Sequence, residues 1–186
     1  AYPTVAVSGG SLTEGNSGTT NLPFTVTLSS ASQLPVTVSY ASADGTAVAP
    51  GDYSATSGTL TFAPGTTSQT VNVPVVGDTL FELDESFSLN LSAPAGATIG
   101  TASVTGTILN DDTAPSVSIA DASASVNSVS GAVLAFPVTL STVSGADTTV
   151  SYATADGSAA TIRQALSAEL PPYMVPDHFE SVAELP

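Results

Sequence analysis

Apolar side chains recur at every second position along most of this chain, and no other feature limits its fold so tightly. Phe24, Val26 and Leu28 alternate with Thr25 and Thr27, and Val36, Val38 and Tyr40 with Thr37 and Ser39. The same beat runs through Leu60 and Phe62, then Val71, Val73 and Val75, then Phe87, Leu89 and Leu91, and closes with Val104 and Ile108. A strand turns successive side chains to opposite faces, so this period buries one face and wets the other. Turn signals separate the runs: Asp44-Gly45, Pro50-Gly51, Pro64-Gly65 and Pro94-Ala95-Gly96. With an opening strand near Val5–Val7, about seven short strands fall within roughly 110 residues. That spacing predicts an all-β chain, an immunoglobulin-like antiparallel β-sandwich. Its connections are expected to run up and down and to gather at the ends of the stack.

The pattern is also repeated. "FTVTL" at Phe24–Leu28 returns as "FPVTL" at Phe136–Leu140, and "VSYASADGTA" at Val38–Ala47 returns as "VSYATADGSA" at Val150–Ala159, each 112 positions further on. Self-similarity at a fixed period marks tandem modules. "NDDTAPS", Asn110–Ser116, is the junction. Three segments follow: a full sandwich over 1–112, a truncated second repeat over 113–159, and a foreign tail over 160–186. After Ala159 nothing answers the first copy's "DYSATSGTLTFAPG". Lacking an opposing sheet, residues 115–159 are expected not to form a stable sandwich alone, but to be partly disordered or prone to aggregate through open edges.

Charge narrows the function. Among 186 residues there is one Lys or Arg, and the net charge is −15. Nucleic acid is excluded as a partner, because phosphate contacts need basic side chains. An anionic lipid surface is excluded for the same reason, and no apolar stretch is long enough to insert into a membrane. Cysteine is absent, which removes disulfides and thiolate metal sites. The opening "AYPTVAVSGG" has neither the charged start nor the apolar run of a signal peptide. It reads as already inside a strand, so the chain is expected to be a piece of something longer.

Residues 1–112 hold nine acids and no Lys or Arg: Glu14, Asp44, Asp52, Asp78, Glu82, Asp84, Glu85, Asp111 and Asp112. Most fall at strand ends or in turns, and four crowd into "GDTLFELDESF", Gly77–Phe87. Two unit charges about 4 Å apart repel by roughly 4 kcal/mol at an effective dielectric near 20. Carboxylates converging on one tip must therefore be protonated or neutralised, and the segment offers no cation of its own. Oxygen-only donors without His or Cys select a hard ion, Ca2+ or Mg2+. Many acids on turns favour Ca2+, which accepts six to eight oxygens in irregular geometry. Plainer readings stand beside this one: Asp44-Gly45 is a turn in any case, and Asn110–Asp112 also reads as a solvated linker. No EF-hand loop spacing occurs.

The motifs "EGNSG" (Glu14–Gly18), "VSYASADGTAVAPGDY" (Val38–Tyr53), "GTLTFAPGTTSQTVNVPVVGDTLFELDESFSLNLSAP" (Gly58–Pro94) and "GTILNDD" (Gly106–Asp112) resemble, in order, a Calx-beta domain. The resemblance covers residues 4–112. It implies an immunoglobulin-like sandwich whose acids at one tip bind several Ca2+ ions. The ligands it implies here are Glu14, Asp44, Asp78, Glu82, Glu85, Asp111 and Asp112. Asp52 and Asp84 also match family positions, without being placed on metal. Asn110 and Gly77 stand where the best calcium binders carry acids. In the second copy Asp156 matches Asp44 while Val126 replaces Glu14, so no working site is expected there.

The tail differs in kind. The only Arg (Arg163), His (His178) and Met (Met174) lie in it, and Ile162, Leu166 and Leu170 fall at helical spacing before Pro171-Pro172. "LSAELPPYMVPDHFESVAELP" resembles the end of a nonribosomal peptide synthetase adenylation domain, without that family's lysine or nucleotide-binding core. No Ser in residues 1–112 has a base near it in the sequence, and the chain lacks Trp. Acyl-transfer and glycosidase chemistry therefore have no foundation, and no enzyme is expected.

The function expected is a calcium-binding module of a tandem-repeat protein, extracellular or on the cell surface. Its partners are Ca2+, the neighbouring repeats and an extracellular protein ligand. A metal-independent structural or adhesion spacer, a regulatory calcium sensor of a membrane transporter and a non-catalytic fragment of a peptide synthetase fusion are the alternatives.

Overall fold

A computed structural model describes residues 1–123 and 133–155. Nine strands build the first repeat: β1 (Thr4–Ser8), β2 (Ser11–Thr13), β3 (Thr19–Leu28), β4 (Val36–Ala43), β5 (Ser57–Phe62), β6 (Ser68–Val76), β7 (Glu85–Ala95), β8 (Thr98–Thr101) and β9 (Ser103–Leu109). They form two sheets, β6-β3-β1-β8 and β2-β9-β7-β4-β5. The alternation reads out as burial: Leu22, Phe24, Val26 and Leu28 of β3 and Val71, Val73 and Val75 of β6 point inward, with polar neighbours outside. Phe24, Tyr53, Phe62 and Phe87 fill the space between the sheets. The rings of Phe24 and Phe87 meet edge to face at 5.8 Å, an arrangement the ring quadrupoles favour.

The sandwich expected from the alternation is present, with two short strands that a period of two is too brief to reveal. Its connections do not simply run up and down. The opening segment crosses from one sheet to the other at Gly9-Gly10, so β1 pairs parallel with β8 and β2 pairs parallel with β9, while the other pairings of the sandwich are antiparallel. Gly9 makes the crossing possible: a Cβ there would lie 2.7 Å from Cε1 of Phe24. The crossing also sets the site. Because Thr13 aligns with Leu109, the residue after β2, Glu14, emerges beside the residues after β9.

Ala1–Thr148 form one compact unit, and a second begins at Thr149. Within the first unit, the described residues of the second repeat contribute one hairpin, β10 (Val117–Ile119) with β11 (Val138–Leu140). The turn after it touches the first repeat, where the amide of Gly145 donates to the carbonyl of Phe81 at 2.9 Å. The expected helix at Ile162–Leu170, the adenylation-like tail, Val126 and Asp156 lie outside the described residues. No helix among the described residues is long and apolar enough to cross a membrane.

Candidate metal centre

One end of the sandwich collects the acids, and the strand pairings explain how. β9 ends and β7 begins at this end, since Ile108 pairs with Glu85. β6 ends there too, with Val76 opposite Thr19. A bridge from Tyr53 to Val75 and a hydrogen bond from the Val76 amide to the Asp52 carbonyl (2.9 Å) bring Asp52 to the same place.

Two carboxylate triads result. Glu14, Asp111 and Asp112 form one and Asp52, Glu82 and Glu85 the other; within each, potential ligand oxygens lie within 4.8 Å of one another. Glu14 is the only buried charged residue among those described. Its backbone amide donates to the Leu109 carbonyl at 3.2 Å, which holds it against the β9 end. Burial, then the charges of Asp78, Glu82, Asp112 and Asp111, push its pKa up to about 7. Glu85 is also pushed up to about 7, by burial and then by a hydrogen bond and charge repulsion from Asp52. Glu82 is raised by burial, then by Asp52, Asp78 and Asp112. The triads therefore share one negative field.

The remaining acids have other partners. Asp44 Oδ1 accepts hydrogen bonds from the Tyr53 hydroxyl (2.6 Å) and the Ala49 amide (3.1 Å). Those bonds, the Tyr53 one foremost, lower its pKa. Asp78 Oδ1 accepts from the Leu80 amide at 2.7 Å within its own turn. Asp84 Oδ1 accepts from the Asn110 amide at 3.1 Å. Of the seven residues singled out from sequence, five fall within the triads; Asp44 and Asp78 stand outside both, Asp78 near enough to act on Glu14 and Glu82. Asp52 completes the second triad. Tyr53 is stacked on Phe87 with centroids 4.3 Å apart, so the residue before it is pinned beside the start of β7, a placement that depends on contacts distant in sequence.

Asparagines brace the loops. Asn110 accepts from the Glu82 amide through Oδ1 (3.1 Å) and donates through Nδ2 to the Asp112 carbonyl (3.0 Å). Asn16 Nδ2 donates to Asp112 Oδ1 at 3.0 Å. The other carboxylate oxygen, Asp112 Oδ2, is buried with no hydrogen-bond partner among the described residues. A buried carboxylate oxygen without a partner is costly, and a cation is the group that would satisfy it. Oxygen donors from six carboxylates, with no nitrogen or sulfur, fit a hard divalent ion.

The Calx-beta domain family model matches residues 11–113 and, a second time, 110–163. The chain belongs to the Calx-beta domain family. Two relatives are sodium/calcium exchanger 1 of Canis lupus familiaris, 44% identical over 57 residues (31% of this chain and 6% of the relative), and sodium/calcium exchanger 2 of Rattus norvegicus, 33% identical over 141 residues (66% of this chain and 15% of the relative). The chain thus spans a small fraction of each exchanger. A crystal structure of the apo form of the Calx CBD1 domain superposes with a TM-score of 0.55 at 28% identity, covering 60% of this chain and all of that one. As a Calx-beta domain, the first repeat carries its acids at the sandwich end described above.

Proposed function

We propose that the first repeat is a calcium-binding module, in which Ca2+ joins the strand ends that carry Glu14, Asp52, Glu82, Glu85, Asp111 and Asp112. The observation that carries this reading is the pair of carboxylate triads at one end, in a repeat without Lys or Arg, with a buried Asp112 oxygen that has no hydrogen-bond partner among the described residues. Calcium is favoured over Mg2+ because the donors are numerous and sit on turns, where the strict octahedron of Mg2+ is hard to meet. Asp78 would modulate the field from beside the triads. Asp44 would hold the Asp52 loop through Tyr53 and Ala49.

Bound calcium would stiffen the passage into the second repeat, because Asp111 and Asp112 open the junction. Stabilisation follows RT ln(1 + [Ca2+]/Kd), about 2.7 kcal/mol at a hundredfold excess over Kd. The module would act by binding rather than by catalysis. The internal repeat and the near absence of Lys and Arg support a place in a tandem-repeat secreted or surface protein. The similarity to sodium/calcium exchangers supports a second reading, a calcium-responsive regulatory module of a membrane transporter. Protease shaving of intact source cells separates these: release of peptides from residues 1–112 supports the first and full protection the second.

Calorimetric titration of the chain with CaCl2 tests the central claim. Saturable heat is expected, and it is lost when Glu14→Gln is combined with Asp112→Asn. A wild-type chain that gives no saturable heat and the same melting temperature in calcium and in chelator overturns the reading.

A further inference from the structure

The hairpin β10–β11 duplicates β1–β3 in register. Val5 pairs with Leu28 and Val7 with Val26 in the first repeat; Val117 pairs with Leu140 and Ile119 with Val138 in the second. Each second-repeat residue lies 112 positions after its counterpart. Burial is where the two part. Val5, Val7, Leu22, Phe24, Val26 and Leu28 are at most 5% exposed, whereas Val117, Ile119, Leu134, Phe136, Val138 and Leu140 are between 40 and 65% exposed. The hairpin is a two-stranded sheet with neither outer edge paired among the described residues.

The first repeat shows what closes such a hairpin. Along the outer edge of β3 lies β6, antiparallel, with Val73 opposite Leu22 and Val71 opposite Phe24. Its inward residues are valines, and none of its nine residues is charged. Residues 160–186 carry no sequence counterpart of β6: where Ser68 onward would recur, the chain reads "ESVAELP" from Glu180. Residues 113–155 hold only two acids, Asp121 and Asp147, so little charge lies near the hairpin in sequence to oppose an uncharged strand.

We propose that residues 133–139, the segment that runs into β11 (Val138–Leu140), are a docking site for one extended segment of another polypeptide, apolar at alternate positions and uncharged on its inner face, which adds antiparallel as β6 adds to β3. Backbone hydrogen bonds would supply affinity and the alternate apolar side chains specificity, as in other strand-addition complexes. The register follows from the template: the residue playing Val71 lies opposite Phe136, and the one playing Val73 opposite Leu134.

The probe is a fluorescent peptide with this chain's own sequence from Ser68 to Gly77, titrated into the full chain by anisotropy, with hydrogen exchange followed along the protein. One-to-one saturable binding that slows exchange at residues 133–140 is expected. A peptide carrying V71D and V73D should bind at least about tenfold more weakly, because two apolar contacts become buried charges. Equal binding of the two peptides, no saturable binding, or protection confined to β3 of the first repeat overturns the proposal. So does a chain already dimeric and protected at residues 133–140 without peptide, since the occupant would then be a second copy.

Discussion

Tyr53 donates its hydroxyl to Asp44 Oδ1 at 2.6 Å while its ring lies flat on Phe87, 4.3 Å between centroids. One side chain thus ties the loop after β4 to the core and to the first residues of β7. Burial, then the Asp44 bond, push the Tyr53 pKa up to about 12, so the hydroxyl stays a donor across the physiological range.

Tyr53→Phe keeps the stack and deletes the bond. A loss of about 1 kcal/mol in urea unfolding is expected, the usual net worth of a hydrogen bond. Calcium affinity should fall severalfold, because Asp52 loses the neighbour that fixes its loop. Unchanged calcium affinity would assign Tyr53 to the core alone.

Gly77 lies where no side chain fits. A Cβ would collide with the Gly15 carbonyl oxygen and stand 2.5 Å from that of Glu14, and the Gly77 amide donates to the Gly18 carbonyl at 3.0 Å. Gly77→Ala should therefore cost about 1–3 kcal/mol, as overpacking does. It should also weaken calcium binding by displacing Glu14. Differential scanning calorimetry in chelator and in calcium reads both effects.

Asn110→Asp keeps an acceptor for the Glu82 amide but loses the donation to the Asp112 carbonyl and adds a charge to a crowded field. The calcium-free melting temperature should fall, and the rise on adding calcium should grow. The sign of that difference is the test, and a variant lowered equally in both conditions fails it.

Without calcium, stability should depend on pH in a direction opposite to that of most acids. Glu14 and Glu85 are both raised from 4.5 to about 7, so the folded state holds protons that the unfolded chain releases. Their contribution is therefore greatest below pH 4.5 and is lost as pH rises through 7. Urea midpoints in chelator should fall between pH 5 and 8. Calcium affinity should rise over the same interval, because the ion needs the charged forms.

The strands were legible because burial of one face imposes a period of two, and Phe24, Val73 and Leu89 each sit where that period puts them. Glu14, Asp111 and Asp112 were legible as a group through the family motifs. What escaped depended on contacts distant in sequence. Nothing near Asp52 announces that Tyr53 will bridge to Val75, or that the Tyr53 hydroxyl will donate to Asp44 Oδ1. The strand β2 is three residues long, too short for any period, yet its pairing with β9 delivers Glu14. Gly77 looked like a missing acid; the carbonyls of Glu14 and Gly15 explain why a side chain is excluded.

The parallel pairing of β2 with β9 has a mechanical meaning. Chain enters the sandwich at one pole and leaves past Leu109 at the other, so tension between Thr4 and Asp112 runs along these strands rather than across them. The bonds from Ser11–Thr13 to Thr107–Leu109 then load together and must rupture nearly at once, instead of opening singly like a zipper. An ion held between Glu14 and Asp112 would clamp that ladder at the point where the pull is applied.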